Sequence, residues 1–222
     1  CQYLGLYRLC KRYLIEDQQI LDWGAGNGHC SYYLLDRGYK VTGYSFEAYS
    51  YEHLLGEFEY EFIQGNSSSP ILLPFDNDYF DAVISVGVLE HVQETGGDDV
   101  GSLREIKRIL KPRGHFICYH LPNKFSWIDS FIRLSKSSLP HHEYRYTADE
   151  IRRMCKIVGL ELREINQYAS LPRQVIGRNL PQKLRYSIEV AEVYNSVDSL
   201  LEKLIKSYTQ NYSFVLQKRY AE

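Results

Sequence analysis

Ile20-Leu21-Asp22-Trp23-Gly24-Ala25-Gly26-Asn27-Gly28 is a short apolar run that ends in an acid and then three alternating glycines. A helix-like pattern begins soon after, at Ser31-Tyr32-Tyr33-Leu34-Leu35, so the glycines fall where a buried strand hands over to a helix. Glycine lets the backbone turn tightly and lets a ligand lie against the main chain without meeting a Cβ. The following helix adds unpaired N–H groups and the positive end of its dipole, which is the geometry of a nucleotide-type cofactor site. The spacing narrows the ligand. A dinucleotide fingerprint would have its third glycine where His29 stands, and no phosphate-binding G-x-x-x-x-G-K-[ST] loop occurs. Asp22 just before the glycines would repel a pyrophosphate but suits a ligand bringing an amine and a sulfonium.

Asp22 to Gly28 resembles the first motif of the class I S-adenosylmethionine-dependent methyltransferases. A second block, Leu73-Pro74-Phe75 and then Phe80-Asp81-Ala82-Val83-Ile84-Ser85-Val86-Gly87-Val88-Leu89-Glu90-His91-Val92, resembles the fourth strand of the small-molecule branch of that family. Its β-branched run is the mark of a strand buried on both faces of a parallel sheet. The resemblance covers about residues 15 to 168 and the last strand. It implies an α/β fold, a doubly wound and mostly parallel seven-stranded sheet with helices on both faces, and S-adenosylmethionine as cofactor.

The same resemblance suggests where the cofactor lies: Asp22, Gly24, Ala25, Gly26 and Gly28 under the methionine part, Ser45, Phe46 and Glu47 beside the ribose, Asn66 and Ser67 at the adenine, and Ser85 and Val86 on the neighbouring strand. Two positions depart from the pattern. Ser45 stands where an acid usually closes the second strand, leaving Glu47 or Ser45 for the ribose hydroxyls, and Asn66 replaces a common aspartate.

Around these motifs the pattern predicts a helix over Tyr3 to Ile15, strands over Tyr39 to Tyr44 and Glu59 to Ile63, and a helix over Leu103 to Leu110. That helix ends in a turn at Lys111-Pro112-Arg113-Gly114 before a strand at His115 to Tyr119. An irregular substrate-side loop follows at about 121–146. Thr147-Ala148-Asp149-Glu150 is a capping-box helix start, and Gly159 ends that helix. Strands at Leu160 to Tyr168 and Asn211 to Gln217 are separated by an insertion at about 171–208, longer than a plain loop. In the insertion, Arg173, Arg178, Lys183 and Arg185 form a basic cluster without acids, suited to solvent, an anionic substrate or, through 173–185, peripheral contact with a membrane. Val190, Val193, Tyr194, Val197, Leu200, Leu201, Leu204, Ile205 and Tyr208 make a helical stripe expected to pack on the core, with a substrate roof or a homodimer face through 186–208 as the alternatives.

At 222 residues the chain fits a single domain over 1–222, and a net charge of −2 offers no basic field for nucleic acid. Five scattered cysteines without a C-x-x-C pair suggest a reduced, cytoplasmic setting. No apolar run reaches transmembrane length, and no charged-then-apolar leader is seen.

Methyl transfer from a sulfonium is an in-line displacement, so the protein mainly aligns donor and acceptor. A small-molecule, sugar- or lipid-linked acceptor and O-methylation are expected, with N- or C-methylation open. A hydroxyl acceptor would use a base near neutral pKa; His91, His142 and His120 are the candidates, with His141 beside them. Gly87 stands where a metal-binding variant of the motif has another acid, so only Glu90 and His91 remain as ligands and no metal is expected. Two rivals stand beside this reading: a catalytically silent binding subunit, favoured by Ser45 and Asn66, and a nicotinamide-dependent oxidoreductase using Glu47 on a ribose.

Overall fold

The computed structural model describes residues 3–47, 52–134, 142–185 and 187–220. Along the chain the elements are α1 (Leu4–Tyr13), β1 (Gln19–Trp23), α2 (His29–Leu35), β2 (Lys40–Ser45), α3 (Glu52–Leu55), β3 (Glu61–Gln64), β4 (Phe80–Val86), α4 (Asp99–Ile109) and β5 (Leu110–Pro122). They continue as α5 (Trp127–Leu134), α6 (Ala148–Val158), β6 (Glu161–Tyr168), α7 (Arg173–Asn179), α8 (Gln182–Arg185), α9 (Ile188–Ile205) and β7 (Asn211–Gln217). The strands form one seven-stranded sheet in the order β3-β2-β1-β4-β5-β7-β6. All neighbours are parallel except β7, which runs antiparallel to both β5 and β6.

Why the central strands read as continuous apolar runs is plain in their packing. Successive side chains point to opposite faces of the sheet, and both faces are covered. Leu21, Val83, Phe116 and Phe214 enter one core with Leu103, Ile106 and Ile151 from α4 and α6. Ile20, Ile84, Ile117 and Val215 enter the other with Leu6, Leu9 and Leu34 from α1 and α2. The register lines up the carboxyl ends: Trp23 lies opposite Tyr44 and Ser85, and Val86 opposite Tyr119. Everything of chemical interest gathers above that line, as expected for an open α/β sheet.

The capping box at Thr147 and Glu150 forms as read, each side chain bonding the other's backbone N–H. Several expectations need correcting. Helix α4 starts at Asp99, four residues before Leu103, because Asp98 caps it by accepting the Gly101 N–H at 2.6 Å. The segment Lys111–Gly114 is not a turn outside the sheet. It belongs to β5 as an irregularity at which the register against β4 shifts, with Arg113 at φ 66°. The loop at 121–146 is not irregular throughout, since it holds α5.

Helix α9 meets the expected packing of its stripe only in part: Val190, Tyr194, Leu201 and Ile205 are half-buried, while the other members face outward. Val193, Leu200 and Leu204 are 65%, 62% and 80% exposed, and Asp198 is the one residue of the helix that is buried. On the docked side the contacts that fix the helix are polar. Asp198 accepts the Ser170 and Leu171 N–H groups at 2.8 and 2.7 Å, Glu202 accepts that of Ala169, and the Tyr194 hydroxyl donates to Leu171 O. No helix among the described residues is long and apolar enough to cross a membrane.

Candidate active site

Gly24 and Gly26 turn the chain sharply at the end of β1 with φ of 80° and 50°, conformations that cost an L side chain about 1–2 kcal/mol. The Gly24 and Ala25 N–H groups donate to Tyr44 O at 2.7 and 3.1 Å, tying the turn to the end of β2. A Cβ on Gly24 would lie 2.2 Å from Val88 Cγ2, so packing alone demands glycine there. At Gly26 a Cβ would meet, among the described residues, just the Gly24 carbonyl oxygen at 3.8 Å. Gly24 is therefore closed by protein, and Gly26 faces open space.

Asp22 does not present its carboxylate on the surface of the turn. It is enclosed behind the loop, where Oδ2 accepts the Ser31 hydroxyl at 2.6 Å. Burial pushes its pKa up to about 6, and hydrogen bonds from Ser31 and Cys30 hold it partly down. Ser85 is likewise fully buried between Trp23 and Cys118, closed to a ligand in this conformation, while Val86 at the strand end is half-buried.

Beside the turn, Ser45 and Phe46 are half-buried at the end of β2, and Glu47 is exposed just beyond. The Ser45 Oγ accepts the Glu47 N–H at 3.4 Å, and Gln64 Nε2 donates to Phe46 O across to β3. Asn66 and Ser67 are exposed on the β3 loop, with Asn66 Oδ1 accepting the Ser68 N–H at 2.9 Å. These groups stand at adjacent strand ends, on the same side as the glycine turn.

On the other flank opens a cavity of about 1170 Å³, walled by α1, the ends of β4, β5 and β6, and the α5, α7 and α9 segments. One short segment links it to the glycine turn. Val88 presses on Gly24, and the residues around it, Gly87 and Glu90, line the cavity. All three candidate histidines, His91, His120 and His142, line it as well. His141 lies outside the described residues.

The histidines differ in what they can do. His120 sits at φ 69° where the β5–β7 register shifts, a strained position for a non-glycine residue. Its Nδ1 is 2.8 Å from the Tyr168 hydroxyl. Burial, with Arg173 nearby, lowers its pKa to about 4, so the ring is neutral at physiological pH and poorly matched to proton abstraction. Tyr119, stacked on Tyr168, has its pKa raised to about 12 by burial, so its phenol remains a donor. At the opposite corner His91 Nδ1 lies 2.8 Å from Glu94 Oε2, and the His91 and His142 rings are 5.7 Å apart. The Glu90 carboxyl is buried next to them, and burial raises its pKa to about 7. One potential ligand atom from each of Glu90, His91 and His142 lies within 4.8 Å of the others.

Sequence reading did not single out Tyr119, Tyr168 or Arg173 as cavity residues. The tyrosines carried a signal, since each falls at or near the carboxyl end of a strand. Arg173 carried none beyond its basic cluster. Of that cluster, Arg173 lies over the Tyr194 ring at 5.0 Å and Lys183 is exposed. The Arg178 side chain lies outside what is described.

Residues 21–118 match the family model described as a methyltransferase domain. No curated protein matches the chain. Among solved structures, a putative methyltransferase bound to the Trm112 methyltransferase activator of Haloferax volcanii is similar at 18% identity and a TM-score of 0.66, over 100% of this chain and 91% of that one. A putative methyltransferase from Bacillus halodurans is similar at 15% and 0.65, over 97% and 99%. A SAM-dependent methyltransferase from Methanosarcina mazei is similar at 17% and 0.64, over 97% and 99%. At such identities these likenesses speak for the fold alone, while the family match leaves the oxidoreductase rival without support.

Proposed function

We propose, from the match of residues 21–118 to a methyltransferase domain, that the chain transfers the methyl group of S-adenosylmethionine to an oxygen of a small-molecule, sugar- or lipid-linked acceptor. The observation that carries this reading is the short segment after β4 that joins the two regions: Val88 packs against Gly24 of the glycine turn, and its neighbours Gly87 and Glu90 line the cavity of about 1170 Å³. The residues fit the cofactor. Gly26 leaves room against the backbone, Asp22 supplies negative charge behind it, and Glu47 with Ser45, and Asn66 with Ser67, offer polar groups to a ribose and a purine edge.

When bound, the cofactor supplies an electrophilic methyl on a good leaving group. The chain's own work is alignment and removal of the acceptor proton, and well-oriented reactants reach effective molarities of about 10⁵–10⁸ M. The cavity walls hold the acceptor, with Tyr119 and Tyr168 as donors and the neutral His120 as a hydrogen-bonding group. The Glu90–His91–His142 corner is where the acceptor loses its proton. A reduced cytoplasmic setting belongs to the same reading and is supported by the free thiols of Cys10, Cys30, Cys118 and Cys155. So does a homodimer through 186–208, which would cover the outward stripe of Val193, Leu200 and Leu204.

Calorimetric titration with S-adenosylmethionine tests the reading. Saturable one-to-one binding, lost in Gly26→Val, is expected. Absence of binding to the wild-type chain would overturn it in favour of a silent binding subunit.

A further inference from the structure

We infer that Glu90, His91 and His142 form a binding site for a single divalent transition-metal ion of the zinc class, opening onto the acceptor cavity. This rests on the proposed methyl transfer for its purpose, but not for its geometry. The first observation is convergence: two imidazoles and a carboxylate each place one possible ligand atom within 4.8 Å of the others. Two of them are neighbours after β4, while His142 arrives from the far side of α5, so the set is completed by the tertiary fold. The second is the state of Glu90. Its side chain is buried, and its Oε2 has no hydrogen-bond partner among the described residues. A buried carboxylate oxygen without a partner is costly, and coordination to a cation is one of the few arrangements that removes the cost. The third is the Glu94 carboxylate at 2.8 Å from His91 Nδ1. With Nδ1–H donating to it, Nε2 is the lone pair left for a metal, the orientation that carboxylate–histidine–metal relays use.

Ligand chemistry sets the class of ion. Two nitrogens and one oxygen suit zinc, iron, cobalt or nickel, whereas calcium and magnesium want oxygen shells. Three protein ligands also leave a four-coordinate ion one open position. All three residues line the cavity, so that position faces the acceptor. This narrows the acceptor to a molecule carrying a hydroxyl or enol oxygen able to coordinate the ion. Coordination lowers the pKa of that oxygen, and its proton leaves to cavity water. The oxygen then forms a bond to the methyl carbon while the carbon–sulfur bond breaks and its electron pair stays on sulfur, turning the sulfonium into a thioether.

The test uses the full chain, stripped with chelator and titrated with Zn²⁺ and separately with Mg²⁺, with Co²⁺ as a spectroscopic probe. Wild type should bind one Zn²⁺ per chain, and Co²⁺ should give the visible bands of a nitrogen- and oxygen-ligated ion. His142→Ala and Glu90→Gln should each weaken binding more than the about 10–100-fold that loss of an orienting partner produces, and Glu94→Gln should fall within that range. Glu90 is buried, so circular dichroism and an S-adenosylmethionine titration on the same samples separate a lost ligand from a lost fold. The variant His142→Ala, at a half-buried position, carries the test if Glu90→Gln unfolds. No saturable site on the wild type, equal affinity in His142→Ala, or a preference for Mg²⁺ would each overturn the assignment. Metal binding without cofactor binding would sustain this site while refuting the methyl-transfer reading, and the reverse would do the opposite.

Discussion

The two sides of the sheet's carboxyl edge are built on different principles. The proposed donor side, from Trp23 to Asn66, is made of backbone: a glycine turn, its hydrogen bonds to Tyr44 O, and polar groups at the ends of β2 and β3. The proposed acceptor side is made of side chains brought from α1, β5, β6, the segment after β4 and the α5 to α9 segments. A backbone site is written in consecutive residues, and a side-chain site is written in topology. The two should therefore fail differently when changed, which is how the contrast can be broken or sharpened.

The largest effect is expected on the acceptor side. His91→Ala or His142→Ala should lower turnover by about 10²–10⁴ with cofactor affinity unchanged, measured as kcat against a cofactor titration. Turnover that survives both changes would leave alignment as the whole mechanism. Next come the two glycines. Gly24→Ala meets Val88 and should cost about 1–3 kcal/mol of overpacking on top of the left-handed backbone, visible as a lower denaturant midpoint. Gly26→Val should instead abolish cofactor binding with a smaller loss of stability. If both variants lost mainly stability, Gly26 would be no ligand surface.

Glu47→Ala should weaken cofactor binding by one charge-assisted hydrogen bond, about 1.5–3 kcal/mol, in the same titration. Unchanged affinity would leave Ser45 for the ribose. The smallest effect concerns pH. Asp22 has a folded pKa of about 6 against an ordinary value of 3.8, so the native state holds its proton more tightly than the unfolded chain. Its ionisation costs stability as pH rises from about 4 to 6, and the penalty is constant above that. A cationic ligand favours the ionised form, so cofactor affinity should be roughly tenfold weaker at pH 5 than at neutral pH, by the fraction of chains in the competent state. An affinity that is flat across this window would remove Asp22 from the site.

How much could be read beforehand follows the same division. The glycine turn, the buried β4 run, the capping box at Thr147 and both strands of the final pair were legible because each depends on residues close in sequence. The start of α4 was not, because Asp98 caps a first turn containing Val100 and Gly101, which look unlike a helix until the Asp98 side chain is seen on Gly101 N. The stripe on α9 was visible, but periodicity does not say which face is covered. Asp198 and Glu202 decide that by taking the N–H groups after β6. Nothing near His91 in the sequence indicates that His142 will stand beside it, so the third member of that corner is a product of the fold.

A crystal structure of the chain with S-adenosylhomocysteine tests the central claim most directly. The thioether should lie over Gly24 to Gly28, with the adenosine toward Glu47 and Asn66 and the sulfur directed past Val88 at the cavity corner formed by Glu90, His91 and His142. A ligand bound elsewhere, or with its sulfur facing away from that wall, would contradict the account.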